Sequence, residues 1–311
     1  MPKTIKYIKQ VKRPLVRPCP CAVDHISCGY INISHILGCP YNCSYCFLHT
    51  YYGQEEIVVY DNDEELLAQV ADYMVKADKR LRLGTGQYSD SLALDKETGL
   101  SKKLIELFAG QDKHLLELKT KSAEVDHLLA LDHCRRTVMA WSVNPEALAR
   151  SEELGAESLA ARLVAAKRCV AAGYPVAFHF DPIIYYAGWD NDYQAVVDLI
   201  FTEISESSIA WISLGALRFQ PELKELAANK FPSSMIFKGS LCFEVDKMRY
   251  PEQLRIELFN RMVGLIRGHS KTVYLYLCME SPKVWAEVNL GNCQNNPYQG
   301  YFDYSRKTKI Q

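Results

Sequence analysis

Residues 38–49 read GCPYNCSYCFLH and follow directly on the β-prone run YINISHIL of residues 30–37. Within this loop Cys39, Cys43 and Cys46 stand at C-x3-C-x2-C spacing. Three thiolates so close on one loop can hold three irons of a cubane cluster and leave the fourth iron open to a ligand. Electron-transfer ferredoxins close all four corners with cysteine. The competing readings are a zinc site and incidental thiols. Zinc sites pair one C-x2-C element with a second pair or with histidines downstream, and no second pair stands here at suitable spacing. A loop after a strand, at the start of an alternating α/β pattern, is the context in which the motif carries weight.

Outward from the loop, short β-prone runs alternate with helix-like stretches. The runs are IVVY (57–60), LRLGTG (81–86), HLLELKT (114–120), RTVMAWSVN (136–144), PVAFHFDPII (175–184), SIAWISLGAL (208–217) and TVYLYLCME (272–280). Apolar residues at i, i+3, i+4 spacing mark helices at 63–76, 102–108, 158–172, 193–204 and 251–266. Several runs are continuously apolar, as in strands covered on both faces. The repetition implies a parallel sheet, either a barrel or an open doubly wound sheet. Gly84, Gly86 and Gly215 read as turns at strand ends. Asp90, Asn144 and Asp181 fall just after strands, on the edge that carries chemistry in both architectures.

The flanks differ in character. Residues 1–29 carry Lys3, Lys6, Lys9, Lys12, Arg13 and Arg17 against the single acid Asp24. Pro14, Pro18 and Pro20 argue against regular structure, so an extended basic arm is expected before a barrel domain at 30–285. The stretch 286–311 reads as a polar, irregular tail. The chain has 36 basic and 37 acidic residues in 311, a formal charge of −1, which argues against binding nucleic acid by bulk positive charge. Hydrophobic residues at 48% and charged residues at 23% suit a globular protein with a sizeable core. No apolar run approaches the roughly 20 residues that span a bilayer, and the N-terminal run lacks the apolar core of a signal peptide. A cytoplasmic setting is expected, in which the 11 cysteines stay thiols and some bind metal or react.

The cysteine triplet resembles the fingerprint of the radical S-adenosylmethionine (SAM) superfamily, in which an aromatic residue, here Tyr45, often precedes the third cysteine. The resemblance extends to one branch, the spore photoproduct lyase family. GCPYNCSYCFLHTYYG, YSDSLALD, LKTKSAEVDHLL, WSVNPE, RLVAAKRCVAAGYPVAFHFDPI and GWDNDY recur in that family in the same order, from about residue 31 to 193 and more weakly to 276. The resemblance implies a partial (β/α)6-type TIM barrel of α/β class, with the N-terminal arm and a C-terminal α+β extension. It also implies a [4Fe-4S] cluster on Cys39, Cys43 and Cys46. The open iron would bind SAM, whose cleavage yields a 5′-deoxyadenosyl radical that abstracts hydrogen from a thymine photoproduct in DNA. Position by position, Ser89, Lys121 and Ser142 fall where the family contacts SAM. A lysine and two hydroxyls at strand ends suit a carboxylate and ribose hydroxyls. Asn144 and Asp181 are further pocket candidates, with helix cap or turn former as the alternative for each.

Two positions depart from the family. Its repair cycle returns a hydrogen atom from a cysteine that aligns with Gln87, and it has a tyrosine where this chain has Phe47. Neither glutamine nor phenylalanine holds a weakly bound hydrogen atom. Cys278, late in TVYLYLCME, is the replacement candidate, beside the reading as a buried small hydrophobe. Cys19, Cys21 and Cys28, with His25 between them, are a second group whose spacing matches no common metal site. DNA with thymine photoproducts is the partner the family implies, with flavodoxin or ferredoxin as electron donor. The arm and the tail, where Arg306, Lys307 and Lys309 lie near Tyr298, Tyr301, Phe302 and Tyr304, suit phosphates and bases. The family's DNA-contacting hairpin aligns with MIFKGSLCFEVDKMRY, which is shorter and less basic. Alternatives are a radical SAM enzyme with another substrate and a non-catalytic iron–sulfur sensor of redox state or DNA damage.

Overall fold

The computed structural model describes residues 3–9, 13–22, 24–51 and 56–291. Its strands run in chain order as β1 (Thr4–Ile8), β2 (Val16–Pro18), β3 (Tyr30–Ile33), β4 (Ile36–Leu37), β5 (Asn42–Cys43), β6 (Glu56–Tyr60), β7 (Arg82–Gly84) and β8 (Leu115–Thr120). They continue as β9 (Thr137–Ser142), β10 (Glu153–Leu154), β11 (Val176–Ile183), β12 (Ile209–Ala216), β13 (Arg218–Phe219), β14 (Cys242–Glu244), β15 (Lys247–Arg249) and β16 (Leu275–Leu277). The main sheet has the order β16-β12-β11-β9-β8-β7-β3-β2. All its neighbours are parallel except β2, which pairs antiparallel on the edge. The sheet curls into a partial barrel, the expected fold, and reaches seven parallel strands because β16 adds beside β12.

The apolar runs become strands because helices cover their outer face while the lumen closes over the inner one. β9 and β12 are buried along their whole length. The expected helices form within a few residues of the expected ends. Asn62 opens Asp63–Val75 by accepting from Glu65 N, with three acids in the first turn against the helix dipole. Ser158 caps Leu159–Ala171 in the same way through Ala161 N.

A buried polar layer forms the floor of the barrel. His179 Nε2 meets Glu117 Oε1 at 2.7 Å, its Nδ1 meets Ser213 Oγ at 2.6 Å, and Arg82 lies 3.4 Å from Glu117. Arg82 also donates to the Tyr276 hydroxyl at 2.9 Å and lies over the Tyr30 and Trp211 rings. Burial works against the Glu117 charge, but Arg82 and His179 hold its carboxyl down at about 2.

Four expectations are corrected. IVVY lies in β6, a strand outside the barrel, between β1 and β4 in a separate sheet. The arm is not irregular: β1 pairs parallel with β6, and β2 pairs with β3 through Val16–Pro18, an edge position that tolerates proline. Gly84 and Gly215 are strand residues rather than turns. A Cβ on Gly215 would stand 2.4 Å from the Asp181 carboxylate, so close approach, not chain reversal, requires glycine there. The tail is packed at its start: helix Pro282–Glu287 crosses the expected 285/286 boundary, and Val288 and Leu290 are buried. The remainder of the tail, including its basic and aromatic residues, lies outside the described residues. The α+β portion is an insertion between β12 and β16, with β13, β14 and β15 in a small antiparallel sheet.

Candidate active site

The loops that follow the barrel strands enclose a cavity of about 270 Å³. Cys39, Cys43 and Cys46 all line it, together with Tyr45, Ser89, Lys121, Ser142 and Cys278. Gly38, at φ +97, turns the chain from β4 into the cysteine loop, a conformation that favours glycine. Distant pieces of the chain then hold the loop. Lys3 Nζ donates to the Cys39 carbonyl at 2.6 Å and to that of Tyr41 at 3.1 Å. β5 pairs antiparallel with β10, and the Ser44 hydroxyl donates to Glu152. Lys3 is therefore spent on the loop, and Arg17 lies over the Tyr88 ring at 5.1 Å from its centroid.

Behind the loop sit two buried carboxylates, Glu152 and Glu153, and the second holds a wider network. Glu153 Oε1 accepts from the Tyr45 hydroxyl and, at 2.9 Å, from Asn144 Nδ2, while Oε2 accepts from Arg162 Nη2 at 2.5 Å. Asn144 is not on the cavity wall. Its Oδ1 accepts from the Tyr193 hydroxyl at 2.7 Å, so its amide is committed to protein groups at both ends. Arg162 Nη1 donates to the Ser142 carbonyl at 2.9 Å and so fixes that residue at the rim.

Asp90 is a clamp between two strand ends. Its carboxylate accepts from Leu92 N, Ala93 N, Thr120 Oγ1 and Lys121 N at 2.6–3.0 Å. The clamp sets Ser89 and Lys121 together on one wall. Ser89 Oγ is buried with no hydrogen-bond partner among the described residues, an orphan facing a cavity. Lys121 Nζ lies 5.7 Å from the Tyr45 ring centroid. Burial opposes the Lys121 charge, and Cys43 and Glu153 hold its pKa above the ordinary value nonetheless. Asp181 lines the cavity too but is paired bidentately with Arg218, at 2.9 and 3.1 Å. Burial pushes all three loop thiols up, Cys43 to about 12, so metal must displace their protons on binding.

The donor set fits an iron–sulfur cube. Among the described residues no three Cys, His, Asp or Glu side chains converge tightly enough for one metal ion. Cube ligands each hold a different iron and stand further apart. The orphan Ser89 hydroxyl and the Lys121 ammonium beside them fit a polar, anionic ligand of that cube.

A family model described as "Spore photoproduct lyase" matches residues 25–248. The chain belongs to the spore photoproduct lyase family, a radical SAM family. Spore photoproduct lyase of Bacillus subtilis (strain 168) is 30% identical over 217 residues, covering 68% of this chain and 62% of the relative. That of Geobacillus sp. (strain Y412MC61) is 29% identical over 203 residues, covering 64% and 60%. The chain thus spans about three fifths of the length of these relatives. Among solved structures, a spore photoproduct lyase double mutant with bound AdoMet and dinucleoside spore photoproduct has a TM-score of 0.76 at 25% identity, over 88% of this chain and 82% of that one. A single mutant with dinucleoside spore photoproduct has a TM-score of 0.72 at 26% identity, over 78% and 75%.

Both departures from the spore photoproduct lyase pattern face the same space. Gln87 and Phe47 line the cavity, with Phe47 edge-on to Tyr51 and Tyr88. Sequence reading missed Lys119, Arg218, Lys247 and Cys19 on the wall. For Lys119 a signal existed: Glu117 and Lys119 alternate with apolar residues along β8, which puts both on the lumen side, and Lys121 follows at the strand end. Lys119 Nζ has no hydrogen-bond or ion-pair partner among the described residues. Arg218, Lys247 and Cys19 reach the wall from outside the barrel strands, where no period marks them.

Proposed function

We propose that this chain is a radical SAM lyase that acts on a thymine photoproduct in DNA. One observation carries the reading: the three loop thiols share a single cavity with Lys121 and with the buried Ser89 hydroxyl, which has no partner among the described residues. In this reading Cys39, Cys43 and Cys46 hold a [4Fe-4S] cluster. Lys121 binds the SAM carboxylate, and Ser89 and Ser142 bind its ribose hydroxyls. Cluster and SAM, when bound, supply the 5′-deoxyadenosyl radical. The chain's own residues orient and shield. Asp90 fixes Ser89 and Lys121, Arg162 fixes Ser142, and Glu153 and Asn144 hold Tyr45 in place behind the loop. Asn144 is thus a positioning residue. A thiol of the cavity wall, Cys278 or Cys19, returns hydrogen to the substrate, because Gln87 cannot.

Features of the mouth support a nucleic-acid substrate. The β14–β15 hairpin carries Lys247 on the cavity wall and exposes Phe243 and Val245, which suits an apolar wedge beside a cation. Tyr51, 61% exposed, adds a stacking face at the rim. The related structures with dinucleoside spore photoproduct support the lesion class. A flavodoxin or ferredoxin as electron donor and a cytoplasmic setting complete the reading; among the described residues no helix is long and apolar enough to cross a membrane. A second reading, a radical SAM enzyme with a different substrate, is favoured specifically by Gln87, Phe47 and the Lys119 ammonium on the cavity wall.

The test is product analysis after anaerobic reconstitution, reduction and incubation with irradiated oligonucleotides. Release of 5′-deoxyadenosine with restored thymines is expected. Release that occurs without any change in the lesion would transfer support to the second reading. No release at all would sink both.

A further inference from the structure

Among the described residues, four cationic side chains stand on the cavity wall: Lys119, Lys121, Arg218 and Lys247. Two of them carry an acid. Arg218 is paired with Asp181 at 2.9 Å, and Lys247 with Asp246 at 2.7 Å. A third, Lys121, takes the SAM carboxylate in the reading above. Lys119 is left over, since its Nζ has no hydrogen-bond or ion-pair partner among the described residues. The two acids on the described wall are committed elsewhere. Asp181 is held bidentately by Arg218, and the Asp90 carboxylate already accepts four hydrogen bonds.

The fold makes room for this side chain. A Cβ on Gly86 would stand 2.9 Å from Lys119 Cβ and 3.2 Å from its Cε, so the lysine stem runs along the bare Gly86 main chain. Both main chains are fixed: Gly86 N donates to the Tyr30 hydroxyl at 3.3 Å, and Ser91 N donates to the Lys119 carbonyl at 3.1 Å. Lys119 is half-buried, and it precedes Lys121 by two residues. The two side chains therefore leave the backbone about 7 Å apart, which allows one ammonium to serve SAM and the other a second ligand. A half-buried cation without a counter-ion carries a desolvation cost that an anion in the cavity would offset.

We propose that Lys119 binds the phosphodiester that joins the two thymidines of the lesion, and so makes the chain select a dinucleotide. This rests on the thymine-photoproduct reading above and gives Lys119 a role within it. The bases and sugars of such a lesion are uncharged, so the bridging phosphate is its one anionic group. It carries a single negative charge, which matches the single uncompensated ammonium. The contact is a charge-assisted hydrogen bond from Nζ to a non-bridging phosphate oxygen.

The experiment measures binding rather than turnover. The cluster-loaded chain is kept unreduced with SAM present, and anaerobic equilibrium dialysis gives the Kd of two probes: the dinucleotide spore photoproduct and the dinucleoside form without the phosphate. The unmutated chain should prefer the dinucleotide by about 10- to 100-fold at low salt. Lys119→Met keeps the stem and removes the charge, so the preference should vanish while dinucleoside and SAM affinities stay unchanged. Lys119→Arg keeps the charge and should keep most of the preference; its loss in both variants alike would assign the effect to packing and overturn the proposal. Equal affinity of the unmutated chain for the two probes overturns it as well, and so does a preference that survives in Lys119→Met. Weaker SAM binding in Lys119→Met would place the ammonium on SAM, and loss of the preference only in Lys247→Met would place the phosphate on Lys247; either result overturns the assignment. A third probe needs no variant to fold: a methylphosphonate bridge keeps the linkage without its charge and should bind the unmutated chain like the dinucleoside, whereas binding equal to the phosphodiester refutes a charge contact. Binding of no probe to the unmutated chain is a different failure, which overturns the lesion reading and the proposal with it.

Discussion

Glu153→Gln tests whether the cysteine loop rests on one buried charge. Glu153 and Arg162 are both fully buried. Their contact uses Oε2 alone, at 2.5 Å, while Oε1 serves Tyr45 and Asn144. A glutamine of the same shape can keep its oxygen on Tyr45 and Asn144, but its NH2 then faces the guanidinium. The substitution therefore isolates the ion pair. Removing one partner of a buried pair costs roughly 3–5 kcal/mol, because the other charge stays buried and uncompensated. Arg162 keeps the carbonyls of Ser142 and Glu157, both at 2.9 Å, so the lower end, about 3 kcal/mol, is expected. Urea unfolding of the chain at neutral pH measures it. A double variant, Glu153→Gln with Arg162→Met, removes the stranded charge and should be less destabilised than the sum of the single variants. The pH dependence has a fixed sign. Burial opposes the Glu153 charge, yet Lys121 and Arg162 hold its pKa below the ordinary value. Its stabilisation is thus present above the unfolded carboxylate's pKa and lost as pH falls through the folded one. The glutamine variant should lack that contribution. A loss below about 1 kcal/mol, or strict additivity in the double variant, would refute the reasoning.

Replacing any of Cys39, Cys43 or Cys46 with alanine should abolish the visible absorbance of the reconstituted cluster and all SAM cleavage; full absorbance in any one removes that ligand. Lys121→Met should weaken SAM binding by roughly 10- to 100-fold, as loss of a charged hydrogen bond does, with cluster absorbance unchanged. Gln87→Cys in a Cys19→Ala, Cys278→Ala background should restore to the product, in D2O, the deuterium that the double variant loses, because it places a thiol back on the cavity wall; no recovery would mean that position does not face the radical. Glu117→Gln should flatten the acid side of the stability curve. The folded carboxyl sits at about 2 against an ordinary 4.5, so stability is gained as pH rises through that window, and an unchanged slope would remove Glu117 as its source.

The strands and helices were legible because burial imposes a period. β9 and β12 are apolar throughout since both faces are covered. The cysteine loop was legible because thiols carried by one loop stand close in sequence, and all three do reach one cavity. Ser89, Lys121 and Ser142 came from resemblance and all reach the cavity. Asn144 did not, although it sits two residues beyond Ser142, because the Glu153 carboxylate and the Tyr193 hydroxyl claim its amide. The arm was misread for a related reason: prolines bar a central strand but not an edge one, and nothing local tells which edge is open.

The sequence by itself determined the parallel α/β framework and the cysteine triplet, since periodicity and ligand spacing are local properties of the chain. Tertiary structure decided what stands around the triplet. Lys3, Glu153, Arg218 and Cys278 are far apart along the chain and gather around the cysteine loop and its cavity only when the half-barrel curls. The same closure separates the cysteines of CPCAVDHISC, with Cys28 in the floor and Cys19 on the cavity wall. Spacing could not make that distinction, because a thiol's chemistry depends on which groups the fold sets against it.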